Sequence, residues 1–392
     1  GAERRDGRRR MDIDTFRELL TPAGRRALAD ASALSPTEAG FLGAFEKLRK
    51  RHPAPLSKAA LETVLLRVKA RAKFSAADQM YFTRESLEQA SGEAVSRYRA
   101  ERFSPFGTVA DLCCGIGADT LSLTAVADVV AVDSDPLRLA MAAANVPDRA
   151  RFLEADALTV PLDVAAAFAD PARRAEGQRF LSPADYVPPV PALLARFAPD
   201  FPLAFKIAPG VSRHDVEHLG AEVEFISVCG ELKECVLWFG PLKSAAWRAT
   251  VLPGPHTMSA DVLEYDPPAA EPGEFMFDPD SAVIRAGLVP QLCDQLDAVP
   301  IEPGVAFLTG PREVASPFAA CFRVEHSAAF HLAKLRDYLR ERRVGRVTML
   351  KRASELDVND VTKKLKLDGE GHRVVILTRS LGKPWALVCE RC

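Results

Sequence analysis

The fold is decided by the stretch Asp111-Leu112-Cys113-Cys114-Gly115-Ile116-Gly117-Ala118-Asp119. The apolar residues that lead into it predict a buried strand, and its two glycines predict a tight loop that opens into a helix. A second apolar run, 129–132, ends in Asp133, 22 residues after Asp111. A strand, a glycine loop, a helix and a second strand ending in an acid predict the nucleoside-binding half of a doubly wound α/β sheet.

The glycine loop lacks the features that bind a phosphate. A dinucleotide-binding loop has a third small residue in the pattern G-x-G-x-x-G/A, and Thr120 occupies that position here. The chain also has no G-x-x-x-x-G-K-S/T sequence. Asp111, close before the loop, would repel a pyrophosphate and attract an ammonium group. The loop therefore favours S-adenosylmethionine (SAM), which has a cationic amino acid end and no phosphate, over NAD.

The spacing of four motifs resembles that of the class I SAM-dependent methyltransferases. The segment 111–117 resembles their motif I, Asp133 their ribose-binding acid and Asp156 their adenine-binding acid. Asp170-Pro171-Ala172-Arg173 is similar to the D-P-P-[YFW] motif that ends the fourth strand in many amino-methylating members. The resemblance covers roughly residues 75–245 and implies a Rossmann-like sheet with SAM as cofactor. The cofactor-binding residues that it implies are Asp111, Cys113, Gly115, Gly117, Asp119, Asp133, Ser134, Asp156 and Ala157.

The resemblance also implies the catalytic residues. Asp170 and Pro171 would hold the group that receives the methyl, with Asp170 orienting or deprotonating it. Arg173 stands where the family motif has its aromatic residue. It is therefore a candidate for another use: with Arg174 and Arg179 it would clamp a phosphate or carboxylate of the substrate. Ordinary surface charge is the alternative interpretation of Arg174 and Arg179.

The domain organisation follows from periodicity and composition. Residues 11–100 have apolar positions at helical spacing and predict a helical domain that also caps the cofactor. Strands and helices alternate over 101–245, the expected SAM-binding domain. Residues 246–275 are rich in proline and acid and predict a linker or crossover. Residues 1–10 precede Met11 and are expected to be a disordered extension.

The last part of the chain, 276–392, predicts a small basic α/β domain. Between 331 and 392 the chain has 15 basic and eight acidic residues, a net charge of +7, whereas the whole chain has a net charge of −2. A basic segment on an acidic body predicts a polyanionic partner. A solvated surface rich in lysine and arginine is the alternative.

This basic region resembles the THUMP-like C-terminal domain of a bacterial family of class I methyltransferases. The resemblance is carried by five short segments, 278–280, 282–288, 357–359, 363–366 and 377–379. True THUMP domains bind tRNA, so the resemblance implies an RNA partner. With the segment 87–103, which leads into motif I, the resemblance covers most of the chain.

Composition limits the cell compartment and the cofactors. No apolar run is long enough to span a membrane, and the N-terminus has no apolar signal core, so no membrane partner is expected. Eight cysteines without an export signal predict a reducing compartment and a cytoplasmic protein. Cys389-x-x-Cys392 has no second pair at metal-binding spacing, so no metal is expected. The sequence leaves the oligomeric state open.

Together these features predict a SAM-dependent methyltransferase that modifies RNA, either tRNA or rRNA, by in-line methyl transfer. Lys206 is near the end of a later strand, where it either lines the pocket or forms a salt bridge. Two alternatives remain open. One is methylation of a small anionic metabolite held by Arg173 and Arg174. The other is a SAM-binding protein without catalysis.

Overall fold

The computed structural model describes residues 11–146, 148–175, 178–180, 182–262, 267–380 and 382–392, and excludes the side chains of residues 174–179. The predicted extension 1–10 lies outside the described residues. The chain forms two compact units. One comprises the chain up to Ala221 with Val236–Ser244, and the other comprises Glu222–Cys235 with Ala245–Cys392. In the described part, no helix is long and apolar enough to cross a membrane.

The first unit begins with helices. They are α1 (Ile13–Leu20), α2 (Pro22–Ala33), α3 (Phe41–Leu48), α4 (Ala54–Ala70), α5 (Arg84–Gln89) and α6 (Glu93–Ala100). Side-chain caps fix several starts: the Asp12 carboxylate accepts from the Thr15 N–H, and Thr83 and Ser86 form a capping box at α5. The helices bury Phe16, Leu19 and other apolar residues in one hydrophobic cluster. That cluster also contains Ile116 of the glycine loop.

The rest of the first unit alternates strands and helices, as the sequence predicts. The elements are β1 (Thr108–Leu112), α7 (Ala118–Leu123), β2 (Asp128–Asp133), α8 (Pro136–Asn145), β3 (Ala150–Glu154), β4 (Ala166–Ala169), β5 (Arg174–Ala175), β6 (Gln178–Arg179), α9 (Val190–Leu194) and β7 (Leu203–Ile207). The strand order is β3-β2-β1-β4-β7, with parallel pairing throughout this set.

This strand order confirms the Rossmann-like fold. The order of connection reverses between β1 and β4, which is the switch point where doubly wound sheets bind their ligands. In the register, Leu112 is opposite both Val132 and Ala169. The ends of β1, β2 and β4 therefore lie at the same level. This alignment brings the acids at these strand ends to one edge of the sheet.

The second unit contains four strands over 222–260, followed by a C-terminal α/β sheet. Its elements are β8 (Glu222–Val228), β9 (Glu231–Phe239, whose last residues belong to the first unit), β10 (Trp247–Leu252), β11 (His256–Ala260), β12 (Phe275–Pro279), α10 (Ser281–Ala286), α11 (Val289–Leu296), β13 (Val299–Pro300), β14 (Leu308–Gly310), β15 (Ala319–Ala329), α12 (Leu332–Glu341), β16 (Val344–Lys351), α13 (Val358–Leu365), β17 (Gly371–Ser380) and β18 (Lys383–Arg391). The strand order of the C-terminal sheet is β13-β14-β12-β15-β18-β17-β16.

One segment of the second unit differs from the sequence expectation. The segment 246–275, expected as a linker or crossover, contains β10 and β11, which pair antiparallel. Further along, α12 begins only at Leu332, because β15 continues to Ala329 and pairs there with Trp385. Leu335 and Leu339 of α12 pack with Val375 of β17 in the hydrophobic core of this sheet.

Candidate functional site

Four acids predicted from the sequence are near enough to Cys113 to raise the pKa of its thiol. Burial raises the pKa of the Cys113 thiol, and the carboxylates of Asp133, Asp170, Asp111 and Asp156 raise it further. The surroundings of Cys113, at the carboxyl ends of the parallel strands, are therefore acidic. Acidic surroundings favour a cationic ligand over a phosphate.

The glycine loop has a left-handed backbone at three positions. Cys113, Gly115 and Gly117 have φ values of 60°, 56° and 79°. A Cβ built on Gly115 would meet no described heavy atom within 4 Å, so this glycine faces open space. A Cβ on Gly117 would be 3.1 Å from the Cβ of Ala142, so this glycine permits close packing of the loop on α8. The two glycines therefore serve different purposes.

Asp133 anchors the loop from the neighbouring strand. Its Oδ2 accepts a hydrogen bond from the Gly115 N–H at 2.8 Å, and its Oδ1 accepts from the Asp135 N–H at 2.9 Å. Burial raises the pKa of this carboxyl above its ordinary value, while the two backbone N–H groups oppose the shift. A carboxylate oxygen has two lone pairs, so each Asp133 oxygen retains capacity for a ligand hydroxyl.

Asp111 lies beneath the loop and is fully buried. Thr120 Oγ1 donates to its Oδ2 at 2.5 Å, while its Oδ1 has no hydrogen-bond partner among the described residues. Burial raises the pKa of Asp111 well above its ordinary value, and the nearby Asp119 carboxylate adds to the effect. An unpartnered carboxylate oxygen in this position suits a cationic neighbour.

Asp119 is paired with an arginine that the sequence analysis missed. Arg99 Nη2 lies 2.5 Å from Asp119 Oδ1, and both side chains are buried. The Arg99 guanidinium also lies over the Phe168 ring, 4.5 Å from its centroid, and donates to Ser91 Oγ at 2.8 Å. The arginine is on α6, in the segment that leads into the glycine loop, and the sequence analysis assigned it no role because its partner lies 20 residues further along the chain.

Asp170 follows β4 and is held by a second buried cation. Its backbone N–H donates to the Leu112 carbonyl at 3.1 Å, which fixes it beside the end of β1. Lys206 Nζ donates to Asp170 Oδ2 at 2.6 Å and to the Gln89 carbonyl at 3.1 Å. The Lys206 side chain is 3% exposed and the Asp170 side chain 23% exposed. Of the two uses considered for Lys206, the structure shows the salt bridge.

The residues after Asp170 form a short backbone-bonded segment. Pro171 is buried, and Ala172 exchanges two backbone hydrogen bonds with Val187, at 2.9 and 3.0 Å. The Arg173 carbonyl accepts from the Phe180 N–H at 2.8 Å. The Arg173 side chain is partly exposed and has no described hydrogen bond or ion pair. The Arg174 and Arg179 side chains lie outside the description, as does the predicted three-arginine clamp.

The remaining candidate cofactor residues lie near the ends of β2 and β3. Ser134 is exposed directly after Asp133. Asp156 is exposed, and its Oδ1 accepts from the Leu158 N–H at 2.8 Å. Ala157 is buried, and its carbonyl accepts from Arg196, a residue that the sequence analysis also missed. Over the residues described, no three His, Cys, Asp or Glu side chains form a group able to hold a metal ion.

Comparison with known proteins identifies similar chains. The sequence is 34% identical over 349 residues to an uncharacterized SAM-dependent methyltransferase of Mycobacterium tuberculosis, present in strains CDC 1551 and H37Rv. The match covers 84% of this chain and 96% of the relative. A crystal structure from Porphyromonas gingivalis W83, which carries a provisional methyltransferase name, has the same fold, with a TM-score of 0.74 at 18% identity. It covers 94% of this chain and 98% of its own.

Family models match the two ends of the chain. Residues 319–391 match a family described as THUMP domain-like. The matched range contains α12, α13 and the strands around them. Residues 12–70 match a domain family of unknown function, DUF8688, which corresponds to α1–α4.

Proposed function

Because the chain belongs to the SAM-dependent methyltransferases, we propose that the acceptor of its methyl group is RNA. The THUMP domain-like match supports this acceptor most strongly, since it falls on a part of the chain with an excess of positive charge. Residues 331–392 have a net charge of +7 in a chain of net charge −2. This excess of lysine and arginine side chains suits binding to the phosphate backbone of RNA, and such binding weakens as salt concentration rises.

The residues around the glycine loop fit the cofactor. Gly115 leaves open space beside the loop, and the carboxylates around Cys113 suit a molecule with a sulfonium and an ammonium group. We assign the ribose to Asp133 and Ser134, and the adenine to Asp156 and Ala157. The loop residues Cys113, Gly115 and Gly117 would contact the amino acid end. Asp111 and Asp119 are buried beneath the loop, so they would support the site from below.

The chemistry of the reaction limits what the protein must supply. SAM carries a methyl group on a sulfonium sulfur, so the acceptor–methyl bond forms as the sulfur–methyl bond breaks and a neutral thioether leaves. The protein's part is to orient the acceptor and to receive its proton. Asp170 Oδ2 is engaged by Lys206, so Oδ1 is the oxygen that would accept the hydrogen of the attacking group. Pro171 would contribute its backbone carbonyl as a second acceptor.

Arg173 would hold the substrate rather than the cofactor. Its guanidinium has no described partner, and an arginine fork binds a phosphate through two parallel hydrogen bonds. An RNA phosphate next to the reacting nucleotide is the ligand that we assign to it. The cytoplasm is the expected location, in keeping with eight free cysteines.

Methyl-labelled SAM tests the acceptor directly. The protein is incubated with labelled SAM and an extract depleted of its own methylation, and the acid-insoluble label is digested with ribonuclease or protease. Ribonuclease-sensitive label supports an RNA acceptor, and label confined to small molecules contradicts it. Cofactor binding without any label would indicate the binding-protein alternative. Asp170→Ala should abolish the label with SAM affinity retained, while Asp200→Ala, which removes an exposed carboxylate outside the site, should leave the label unchanged.

A further inference from the structure

The C-terminal end of helix α5 is held by two lysines. The last carbonyl groups of a helix have no partner within it. At the end of α5, four successive carbonyl groups accept from an ammonium group: those of residues 87–89 in the helix and that of Ala90 directly after it. Lys73 Nζ donates to the carbonyls of Leu87 at 2.7 Å, Glu88 at 3.2 Å and Ala90 at 3.0 Å. Lys206 Nζ donates to the carbonyl of Gln89 at 3.1 Å.

The two lysines differ in what else they contact. Lys206 also donates to Asp170 Oδ2 at 2.6 Å, so a single ammonium group joins the end of α5 to the candidate catalytic carboxylate. No described hydrogen bond or ion pair joins Lys73 to Asp170. The register of the sheet explains the contact of Lys206: Ala169 of β4 is opposite Phe205 of β7, so the next residues of the two strands are neighbours.

Stability alone does not account for Lys206. Every residue of β7 is buried, and Leu203, Phe205 and Ile207 are apolar. A buried ion pair in such a strand is weak evidence for stability, because well-packed apolar side chains often serve as well or better. The lysine is placed where it controls which oxygen of Asp170 remains accessible. This placement indicates a role in the reaction.

We propose that Lys206 is a positioning residue for methyl transfer. It holds Asp170 Oδ2, so that Oδ1 faces the acceptor, and it attaches the end of α5 to the reaction centre. Loss of the Asp170 charge therefore loosens α5, and loss of Lys206 both loosens α5 and misorients Asp170. The inference rests on the proposed role of Asp170 and is independent of whether the acceptor is RNA.

Lys206→Met and Lys73→Met form a matched pair for the test. Both remove a cation from the end of α5, but only the first removes the contact with Asp170. Three quantities are measured: methylation of bulk RNA with labelled SAM, affinity for S-adenosylhomocysteine by calorimetry, and hydrogen exchange of the α5 amides. Thermal unfolding shows whether each variant folds.

We expect both variants to accelerate exchange in α5. Only Lys206→Met should lower kcat, by about tenfold or more, with cofactor affinity changed by less than about threefold. Lys206→Arg keeps the cation and should restore most of the turnover. Turnover of Lys206→Met at the wild-type level would overturn the proposal. An equal loss in Lys73→Met would also overturn it, because helix anchoring alone would then explain the effect.

Hydrogen exchange of the α5 amides in Asp170→Asn tests the proposal without a methyl acceptor. It also does not require any Lys206 variant to fold. The neutral amide weakens the hold on Lys206, so α5 amides should exchange at least about fivefold faster than in the wild type. Unchanged exchange would refute the coupling. If wild-type protein labels no RNA, the proposed acceptor fails, and this exchange measurement still decides the role of Lys206.

Discussion

Arg99 and Asp119 form a buried ion pair, with Arg99 Nη2 2.5 Å from Asp119 Oδ1, directly after the glycine loop. The pair joins α6 to the first turn of α7, next to the buried carboxyl of Asp111. Arg99 is thus the cation that offsets the buried acids next to the glycine loop.

Replacing Arg99 should destabilise the fold strongly. Arg99→Ala leaves Asp119 buried without its cation, which typically costs about 3–5 kcal/mol. Arg97→Ala, two residues before Arg99 on α6, removes an exposed arginine paired with Glu93 and should cost less than about 1 kcal/mol. Urea unfolding of the two variants measures the difference. Similar midpoints for both would contradict the assigned role of Arg99.

The buried carboxyl of Asp111 should make stability depend on pH. The pKa of Asp111 in the folded protein is raised well above the ordinary 3.8. The free energy of unfolding therefore falls as pH rises from the pKa of the unfolded state through the higher pKa of the folded state. The asparagine of Asp111→Asn cannot ionise, so this variant should become more stable relative to the wild type as pH rises. The free energy of unfolding, measured from about pH 4 to pH 8, gives the difference. A gap that does not change with pH would refute this expectation.

The two loop glycines should respond differently to alanine. Gly117→Ala places a Cβ 3.1 Å from that of Ala142 at a left-handed backbone, so we expect a loss of about 2–4 kcal/mol. Gly115→Ala projects into open space and should cost only about 1–2 kcal/mol of backbone strain. Its main effect should be on cofactor affinity, since its methyl group enters the proposed SAM site. Thermal unfolding and calorimetry with S-adenosylhomocysteine separate the two effects.

Two cysteines with a left-handed backbone should differ in reactivity. Cys113 has φ 60° and Cys229 has φ 51°. Burial and four carboxylates raise the pKa of the Cys113 thiol, which suppresses its reactive thiolate, whereas Cys229 is exposed. Iodoacetamide at neutral pH should label Cys229 at least about 100-fold faster than Cys113. Peptide mass spectrometry measures both rates, and equal rates would contradict the acidic surroundings of Cys113.

Local patterns predicted the elements that position the site. The apolar runs, the two glycines and the acids after the strands are signals within a few residues, and the alternation of strands and helices predicts a parallel sheet. The segment 246–275 shows the limit of such signals. Proline and acid dominate its composition, yet Trp247–Leu252 is a largely buried strand that pairs with β8 and β11.

The charge partners of the site could not be read from the sequence. Arg99 is 20 residues from Asp119, and Lys206 is 36 residues from Asp170. Only the fold brings each pair together, so sequence motifs identified the acids without the cations that hold them. Asp119 was therefore expected at the cofactor, and the structure places its carboxylate against Arg99. Its contact with the cofactor stays a prediction.

The hydrophobic cluster of α1–α5 contains Ile116 of the glycine loop and Met141 of α8. The first helices and the glycine loop thus share one hydrophobic cluster, although 12–70 matches a family model of its own. A truncated chain that begins at β1 would keep every recognised motif and lose the apolar contacts beneath the loop. The minimal methyltransferase of this chain therefore includes its N-terminal helices, and methyltransferase motifs alone do not mark where it starts.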